Sequence, residues 1–397
     1  MAAQSTSYGI IGRGIAGSSV AYHLSEITDD QITLFERTTP ASETTRKSMS
    51  ILSCQGDDII HGMKGYALQL YNEFLANRQS ESEFHLVGSL GVTTTDEGAK
   101  DFKRSAEGAI SGVRDTFLMD TQNTVTQYMR GGEIHQSMIV PHLNTEEITA
   151  AIYRPNKGYA ISDELALEFI ERAKDNGVDI KTDTEITDIE IEDNQVTAIK
   201  SNSKRYDVDQ VVSAAGPWNI QMAAKVGLDI PVKHTLGPIL KLKPPEGLSH
   251  IVPHTKHYES RIYFVGYHDG TVFVGHNPND QTAFEEASVY SPEDMDEKMP
   301  AEIRSQAMEI IEQMYPCLSD AEVVDEWVGI RSLTPDDLPI AGWTSVEGFA
   351  LAVAPGGMNL APAIGRMVAE QLVNGNPTGY YESLSITRFD GFTDTHQ

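Results

Sequence analysis

The N-terminal segment "YGIIGRGIAGSSVAYHLSEITDDQITLFER" constrains the fold more than any other part of the chain. A short apolar strand up to Ile11 leads into a glycine-rich turn, an apolar-periodic helix and a second strand, which is the order of a βαβ unit. The turn carries the spacing G-x-G-x-x-G at Gly12, Gly14 and Gly17. The first glycine allows a tight turn, the second lets a pyrophosphate approach the backbone, and the third lets helix and strand pack closely. The segment therefore predicts a Rossmann-like dinucleotide site.

The end of the second strand indicates which dinucleotides fit. Glu36 lies 24 residues after Gly12 and is placed to accept hydrogen bonds from ribose hydroxyls. A carboxylate there would repel a 2′-phosphate, which disfavours NADP. Ile15 and Ala16 open the helix whose N-terminus would hold the phosphates, and Arg37 follows the carboxylate. We expect all of these residues to contact the cofactor.

The chain beyond this unit does not continue as a simple parallel sheet. A long helical stretch, "DDIIHGMKGYALQLYNEFLANR", is followed by strand-like "FHLVGSLGVTTT" and a helix at 163–176, for which Ser162 is the expected N-cap. Four strand segments follow: "VDIKT", "EITDIEIED", "QVTAIKS" and "QVVSAAG". A chain of 397 residues also suggests two domains. We conclude that the dinucleotide fold is interrupted and resumed, which favours FAD over NAD.

Charge excludes some partners. The chain has 58 acidic and 30 basic side chains, a formal charge of −28, whereas nucleic acids and anionic membranes require a basic surface. The dispersed acidic residues predict a solvated acidic surface, and adaptation to high salt remains an open alternative. No run approaches the roughly 18 apolar residues of a membrane span, and no leader pattern is present, so the cytoplasm is expected.

Cysteine and histidine patterns give no metal site. Cys54 and Cys317 are the only cysteines, which predicts two buried free thiols. "HIVPHTKH" contains three histidines, but Pro253 prevents a helix that would align them, so we interpret this segment as a surface loop.

Four motifs occur in order along nearly the whole chain: the N-terminal βαβ unit, "TEITDIEIEDNQVTAIKS" with "VVSAAGPWN", "YFVGYHDGTVFVGH", and "GIRSLTPDDLPIAG" with "GGMNLAPAIGRMVAEQL". With them the chain resembles the D-amino-acid oxidase family of FAD-dependent oxidoreductases, which includes glycine and sarcosine oxidases. The resemblance implies a mixed α/β fold, in which a Rossmann-like FAD-binding domain is interleaved with an antiparallel-sheet substrate domain. The implied FAD-binding parts are 1–82, 154–232 and 326–390, and the substrate parts are 83–153 and 233–325.

The resemblance also implies cofactor contacts far from the first motif. Ile186 would hold the adenine through its backbone, and Ala215 with Gly216 would let the cofactor lie close to a strand end. Ile186 is alternatively only a core strand residue, and both roles are compatible. The helix from about Leu360 to Val373 would direct free N–H groups at the flavin. The residues assigned to contact the flavin end of the cofactor are Gly356, Gly357, Met358, Asn359 and Leu360.

The FAD is expected to be non-covalent. Gly329 stands where sarcosine oxidases have the attached cysteine, and "SMSILS" contains no histidine that could serve as an attachment point.

The resemblance assigns the substrate to Arg331 and Tyr263. In amino-acid-oxidising members the arginine of "G-x-R" holds the substrate carboxylate in a bidentate pair, which a planar guanidinium does better than an ammonium. The alternative for Arg331 is a structural ion pair with Asp336 or Asp337. The Tyr263 hydroxyl would share the carboxylate, and its alternative role is that of a half-buried strand aromatic.

These features predict an FAD-dependent oxidoreductase that oxidises the C–N bond of a small amino acid (a D-amino acid, glycine or an N-alkyl amino acid) by hydride transfer to flavin N5. The electron acceptor stays open among oxygen, a quinone and a carrier protein, because Phe273 replaces the oxygen-activating lysine of sarcosine oxidases. Two alternatives remain. One is a 2-hydroxy acid oxidoreductase, because Arg331 would hold that carboxylate equally well. The other is a flavin-binding subunit of a larger dehydrogenase complex.

Overall fold

The computed structural model describes residues 5–39, 41, 43–53, 58–76, 84–111, 127–130, 142–154, 157–245, 252–277, 283–287, 291–295, 297–375 and 381–389. The strands in these ranges are β1 (Ser7–Ile11), β2 (Gln31–Phe35), β3 (Ile51–Leu52), β4 (His85–Leu86), β5 (Ser89–Thr93), β6 (Gln127–Arg130), β7 (Ala150–Arg154), β8 (Gly158–Tyr159), β9 (Asp179–Lys181), β10 (Ile186–Glu192), β11 (Gln195–Ser201), β12 (Arg205–Asp207), β13 (Gln210–Ser213), β14 (Lys233–Lys243), β15 (His254–His257), β16 (Ile262–Gly266), β17 (Val272–His276), β18 (Glu322–Leu333), β19 (Ile340–Trp343) and β20 (Phe349–Val353).

The α-helices are α1 (Ile15–Ser25), α2 (Asp58–Ala76), α3 (Asp96–Ser111), α4 (Ser162–Asp175), α5 (Asn219–Lys225), α6 (Ala283–Glu286), α7 (Ala301–Met314), α8 (Gly357–Asn374) and α9 (Tyr381–Leu384). Short 3₁₀ turns lie at Gly216–Trp218, Pro292–Asp294, Pro316–Leu318 and Ile386–Arg388.

The first large sheet has six strands in the order β19-β20-β13-β1-β2-β9. Strands β9, β2, β1, β13 and β20 run parallel to their neighbours, and β19 pairs antiparallel with β20. Helix α1 packs between the sheet and helices α4 and α8, and these elements share one hydrophobic core. The parallel strands come from three separate parts of the sequence, so the Rossmann-like fold is interrupted and resumed as predicted.

The second large sheet has eight strands in the order β18-β14-β17-β16-β15-β5-β7-β6. Its neighbours pair antiparallel except β15 and β5, which are parallel. Helix α7 covers one face, where its buried side chains join those of the central strands in a second core. The predicted boundary at residue 326 falls within β18, and the whole of that strand belongs to the eight-stranded sheet. The mixed α/β class with an antiparallel second sheet is confirmed.

Two small sheets complete the described structure. Strands β10, β11 and β12 form an antiparallel sheet that extends the dinucleotide-binding part, and β3, β8 and β4 form another beside the N-terminus of α8.

Three local predictions differ from the structure. Helix α4 begins at Ser162 itself, and Ile161 in extended conformation is its N-cap, because the Ser162 hydroxyl donates to the Ser48 carbonyl (3.4 Å) instead of capping the helix. Cys317 is a free thiol but only half-buried, while Cys54 lies outside the described residues.

The segment expected to be a surface loop is strand β15, with His254 and His257 buried. Proline at 253 prevents a helix but does not prevent a strand that begins after it. His250 lies outside the ranges that the structure covers. Residues three apart on a strand point to opposite faces, so His254 and His257 do not converge on one ion.

Across the described ranges, no helix has both the length and the apolar character that crossing a membrane requires.

Candidate functional site

A cavity of about 540 Å³ is lined by residues of both large sheets and by the N-termini of α1 and α8. We call it the main cavity. One end meets the carboxyl ends of the parallel strands β1 and β2, and the other end lies over β14, β16, β17 and β18 of the eight-stranded sheet. A crevice at the carboxyl ends of parallel strands is where open α/β sheets bind ligands.

The three glycines of the first motif have different surroundings. A Cβ atom on Gly12, which has φ of +101°, would lie 2.6 Å from the Ala214 carbonyl oxygen, and one on Gly17 would lie 1.9 Å from the Gly12 carbonyl oxygen. These two residues must be glycine because backbone packs against them. Gly14 instead faces the main cavity, where a Cβ would meet only the Thr45 hydroxyl, at 3.1 Å. Space for a ligand therefore adjoins Gly14.

The N-terminus of α1 opens into this space. Gly14 is its N-cap and provides no side-chain cap, so backbone N–H groups of the first turn are available to an anion. The Ile15 N–H donates to the Thr45 hydroxyl (3.1 Å). Ile15 and Ala16 also line the main cavity. Thr45 is a site residue that the glycine motif did not indicate, because it comes from a loop 30 residues away.

Glu36 is held at the end of β2 by backbone donors. Its carboxylate oxygens accept from the Arg13 N–H and the Thr38 N–H, each at 2.9 Å. The guanidinium of Arg37 lies over the Trp218 ring, 3.9 Å from the ring centre. It also lies 3.6 Å from the Glu43 carboxylate. This end of the main cavity thus presents a fixed carboxylate beside a stacked arginine.

The turn after β13 forms the adjoining wall. Ile186, Ala215 and Gly216 line the main cavity, and Gly216 has φ of +55°. The Asn219 side-chain oxygen accepts from the Ser213 hydroxyl (2.7 Å) and from the Ala215 N–H (3.0 Å), which fixes the turn. Asn219 is fully buried, so sequence reasoning, which looked for residues facing a ligand, gave it no role.

Helix α8 directs its N-terminus at the middle of the main cavity. Gly356 is its N-cap in left-handed conformation (φ 63°, ψ 44°), and a Cβ there would have no atom within 4 Å. Gly357 and Met358 line the cavity. Asn359 also lines it, while its side chain donates to the Ile51 carbonyl (2.8 Å) and accepts from the Ser53 N–H (3.1 Å). Leu360 is buried in the core and is not among the lining residues, so its assignment as a cofactor contact rests on the resemblance alone.

These features together fit a dinucleotide. Two helix N-termini with glycine as N-cap open into one cavity, these glycines leave space for a ligand, and Glu36 lines the same cavity. An FAD molecule placed here would have its pyrophosphate at α1 and its flavin near α8.

Arg331 lies on β18 at the opposite side of the main cavity. Its Nη1 donates to the Asn277 side-chain oxygen, and its aliphatic carbons pass over Gly237 of β14. Burial lowers the pKa of Arg331, while Tyr263 and Asp337 raise it. Arg331 stays charged because a guanidinium does not lose its proton in proteins.

Of the two aspartates considered as structural partners of Arg331, Asp336 is engaged elsewhere. Its carboxylate accepts two hydrogen bonds from Arg388, at 2.7 and 3.0 Å. Burial raises the pKa of Asp336, but the hydrogen bonds from Arg388 outweigh this and lower it. Asp337 remains within electrostatic range of Arg331.

Tyr263 projects from β16 into the same part of the main cavity. Its ring lies over Gly275 of β17, where a Cβ would come within 2.4 Å of the ring carbon Cζ. Burial raises the pKa of Tyr263 and Arg331 lowers it, with a net rise. The hydroxyl therefore keeps its proton at neutral pH and is available as a donor next to Arg331.

Comparison with known proteins gives a consistent result. A family model described as "FAD dependent oxidoreductase" (DAO) matches residues 7–371. Glycine oxidase of Geobacillus kaustophilus is 24% identical over 395 residues, which cover 96% of this chain and 97% of that protein. Dimethylglycine dehydrogenase of Rattus norvegicus is 22% identical over 397 residues, covering 97% of this chain and 45% of that protein.

The pyruvate dehydrogenase phosphatase regulatory subunit of Mus musculus is 25% identical over 393 residues, or 96% of this chain and 43% of that protein. This chain thus spans less than half of the length of these two mitochondrial relatives. Among solved structures, glycine oxidase from Geobacillus kaustophilus matches with a TM-score of 0.80 at 20% identity, covering 97% of this chain and 99% of that one. L-proline dehydrogenase from P. horikoshii matches with a TM-score of 0.79 at 22% identity, covering 97% and 98%.

Proposed function

This chain belongs to the DAO family of FAD-dependent oxidoreductases, and we propose that it oxidises the C–N bond of a small amino acid that is held by its carboxylate. The observation that carries the proposal is the position of Arg331. Arg331 lines the main cavity together with Tyr263, and its side chain is half-buried. An arginine facing a ligand cavity is suited to a carboxylate because its fork of donors matches the two oxygens.

We assign the cofactor contacts by the same geometry. The α1 N-terminus with Gly12, Gly14, Ile15 and Ala16 holds the pyrophosphate, and Gly17 lets α1 pack on β1. Glu36 binds the ribose, with Arg37 beside it. The remaining contacts are those of the Ile186 backbone with adenine, of Ala215 and Gly216 with the middle of the cofactor, and of Gly356, Gly357, Met358, Asn359 and Leu360 with the flavin end.

Bound FAD supplies the oxidant, which takes two electrons from the substrate. The protein's own contribution is orientation. Arg331 pairs with the carboxylate, the Tyr263 hydroxyl donates a second hydrogen bond to it, and the substrate's Cα–H is thereby aimed across the cavity. The amine must be neutral, and the product imine is hydrolysed by water to an oxo acid and an amine or ammonia. A strong protein base is not required.

The test is anaerobic mixing of the purified flavoprotein with D-, L- and N-methyl amino acids and 2-hydroxy acids while the flavin absorbance is followed. We expect at least one amino acid to bleach the flavin, and denaturation to release free FAD. Bleaching by hydroxy acids alone would replace the proposal with the 2-hydroxy acid oxidoreductase. Flavin that remains on the denatured chain would contradict non-covalent binding.

A second candidate is a flavin-binding subunit whose activity needs a partner chain. It is favoured by one observation, the similarity to a protein named as a regulatory subunit of which this chain covers 43%. The same experiment separates the two, because a subunit of this kind would not be reduced by free amino acids alone. Oxygen, a quinone and a carrier protein are all retained as candidate acceptors.

A further inference from the structure

The substrate end of the main cavity is strongly basic, although the chain as a whole is acidic. Lys157 and His254 line it with Arg331, and Lys256 adjoins it as the strand partner of Tyr263. We call these four residues the basic cluster. The formal charge of the whole chain is −28, so three cationic side chains around one small volume are a local exception.

The fold brings these residues together from separate parts of the chain. Lys256 of β15 is paired with Tyr263 of β16, and directly paired residues of neighbouring strands project to the same face. His254 lies two residues earlier on the same face, with its ring centre 5.5 Å from that of Tyr263. Lys157 is fixed where its carbonyl accepts from the Gly88 N–H (2.8 Å).

Neither lysine has an anionic partner among the residues that the structure describes. Their ammonium groups make no hydrogen bond and no ion pair there. Burial, with the nearby cations Arg154, Lys256 and Lys64, lowers the pKa of Lys157 to about 7. Burial, Arg331 and Arg261 lower the pKa of Lys256. Partly buried cations that repel one another favour the binding of an anion between them.

The carboxylates that line the main cavity are all at its other end. Glu43 and Glu293 accompany Arg37, and Glu185 precedes Ile186, beside Glu36. No carboxylate among the described lining residues lies near Tyr263. The predicted cofactor pyrophosphate lies at the α1 end, so the cofactor's own charge is not placed at the basic cluster.

We propose that the substrate carries a second carboxylate, and that Lys157 and Lys256 bind it while Arg331 and Tyr263 bind the first. The substrate class is thus an acidic amino acid. This inference rests on the proposed function, because it assigns the substrate of that same site. The strand registers place Arg331 of β18 and Lys256 of β15 on the sheet face that also carries Tyr263, and the strand with Tyr263 lies between theirs. The cluster therefore offers a cation on each side of Tyr263 to the two ends of a dicarboxylate.

The test compares acid and amide pairs of nearly equal shape: glutamate with glutamine and aspartate with asparagine, each as D and L forms. Anaerobic flavin reduction is measured for the FAD-loaded protein. We expect the acid of at least one pair to be at least tenfold more efficient than its amide. Equal efficiency with acid and amide, or a preference for neutral amino acids, would overturn the inference while leaving the proposed function intact. Reduction by no amino acid would overturn both.

Variants locate the second carboxylate. Lys157→Gln and Lys256→Gln should each reduce efficiency with the acid roughly ten- to a hundredfold, as for the loss of one charge-assisted hydrogen bond, and leave the amide unaffected or improved. Lys174→Gln, on the exposed face of α4, is the matched control. Equal losses with acid and amide would overturn the assignment, as would purification of either variant without FAD, because the lysines would then serve the cofactor.

A binding measurement tests for the second carboxylate site without turnover. Glutarate and butyrate differ by one carboxylate, and each is titrated into the oxidised flavoprotein while the flavin spectrum is recorded. Tighter binding of glutarate, lost in Lys157→Gln, supports the inference. Equal affinities for glutarate and butyrate contradict it.

Discussion

At the scale of single residues, the assignment depends on Arg331. Its strongest structural competitor, an ion pair with Asp336, is removed by the bidentate hydrogen bonds between Asp336 and Arg388. The groups beside its guanidinium include the side chain of Asn277, the neutral hydroxyl of Tyr263 and the carboxylate of Asp337. A neutral donor and a cation on one cavity wall form a receptor for a carboxylate.

Substitution of Arg331 tests this receptor. Arg331→Lys should retain FAD and reduce the efficiency of flavin reduction roughly ten- to a hundredfold, because a point charge replaces a bidentate fork. Arg331→Ala should reduce the efficiency of flavin reduction further. This reduction should be smaller for a substrate whose α-carboxylate is replaced by a neutral amide. Arg304→Lys, at the half-exposed pair with Glu326, is the control. Equal losses for acid and α-amide would mean that Arg331 only holds its strand.

Local sequence patterns indicated Arg331, Gly14 and Glu36, which do line the main cavity. Arg331 follows from "GIRSLTPDDLPIAG", and Gly14 and Glu36 follow from one βαβ unit. Lys157 and Lys256 could not be found in this way. They are 99 positions apart in the sequence, and only the parallel pairing of β15 with β5 and the backbone contact at Gly88 bring them to one cavity.

At the scale of elements, side-chain positions depend on close contacts between strands. Sequence patterns predicted α2, β10 and β11 from their regular apolar faces, and β13 from a continuous apolar run that fits a central strand. They did not give β15, whose residues are mostly polar and are buried by the sheet and the cavity instead of by their own hydrophobicity. The sequence pattern also did not indicate that the Tyr263 ring packs directly on Gly275 of β17.

Gly275→Ala should therefore displace Tyr263. The added Cβ would lie 2.4 Å from Cζ of the ring, so the ring must move away from its position beside Arg331. We expect at least a tenfold loss in kcat/KM, on the order of the loss of a charge-assisted hydrogen bond, with FAD content unchanged. Gly65→Ala on α2, where a Cβ meets nothing within 4 Å, controls for the extra methyl group. Unchanged kinetics would show that the Tyr263 position is not needed.

The packing of α1 on α2 makes stability depend on pH. The His23 ring bridges the Ser19 carbonyl (2.7 Å) and the Tyr66 hydroxyl (2.8 Å), and burial lowers its pKa to about 4. The ordinary pKa is about 6.5, so the unfolded chain binds the proton first and stability falls as the pH drops from about 6.5 towards 4.

At pH 5 the burial of His23 should lower the free energy of unfolding by about 2 kcal/mol relative to pH 7.5. Urea unfolding at pH 5 and at pH 7.5 measures this difference in the free energy of unfolding. His23→Gln should reduce the difference, and the control His61→Gln on α2 should leave it unchanged. The same pH dependence in His23→Gln as in the unmodified protein would contradict the assignment.

At the scale of the whole molecule, an acidic surface surrounds a basic substrate site. A formal charge of −28 destabilises the compact state through self-repulsion, since unfolding moves like charges apart. The combination of a Rossmann-like sheet with an antiparallel sheet was predictable as a class because the family resemblance implies it. Their mutual placement, which creates the main cavity, depends on packing that no local pattern encodes.

Salt should stabilise this protein. The Debye length falls from about 10 Å at 0.1 M to about 3 Å at 1 M, so repulsion between surface carboxylates is screened. We expect Tm to rise over this range of NaCl, as followed by circular dichroism. Equimolar sucrose in place of salt controls for general exclusion effects. A Tm that stays constant or falls would show that ion pairs with nearby basic side chains already cancel the repulsion between surface carboxylates.

The most direct test of the central claim is product analysis after one anaerobic turnover. The flavoprotein is mixed with the amino acid that bleaches it, and the amine or ammonia released from a non-cyclic substrate is counted against the flavin reduced. We predict one nitrogen released and one oxo acid formed for each flavin reduced. Reduction of the flavin without release of nitrogen, or an oxo acid formed only from 2-hydroxy acids, would contradict oxidation of a C–N bond by this chain.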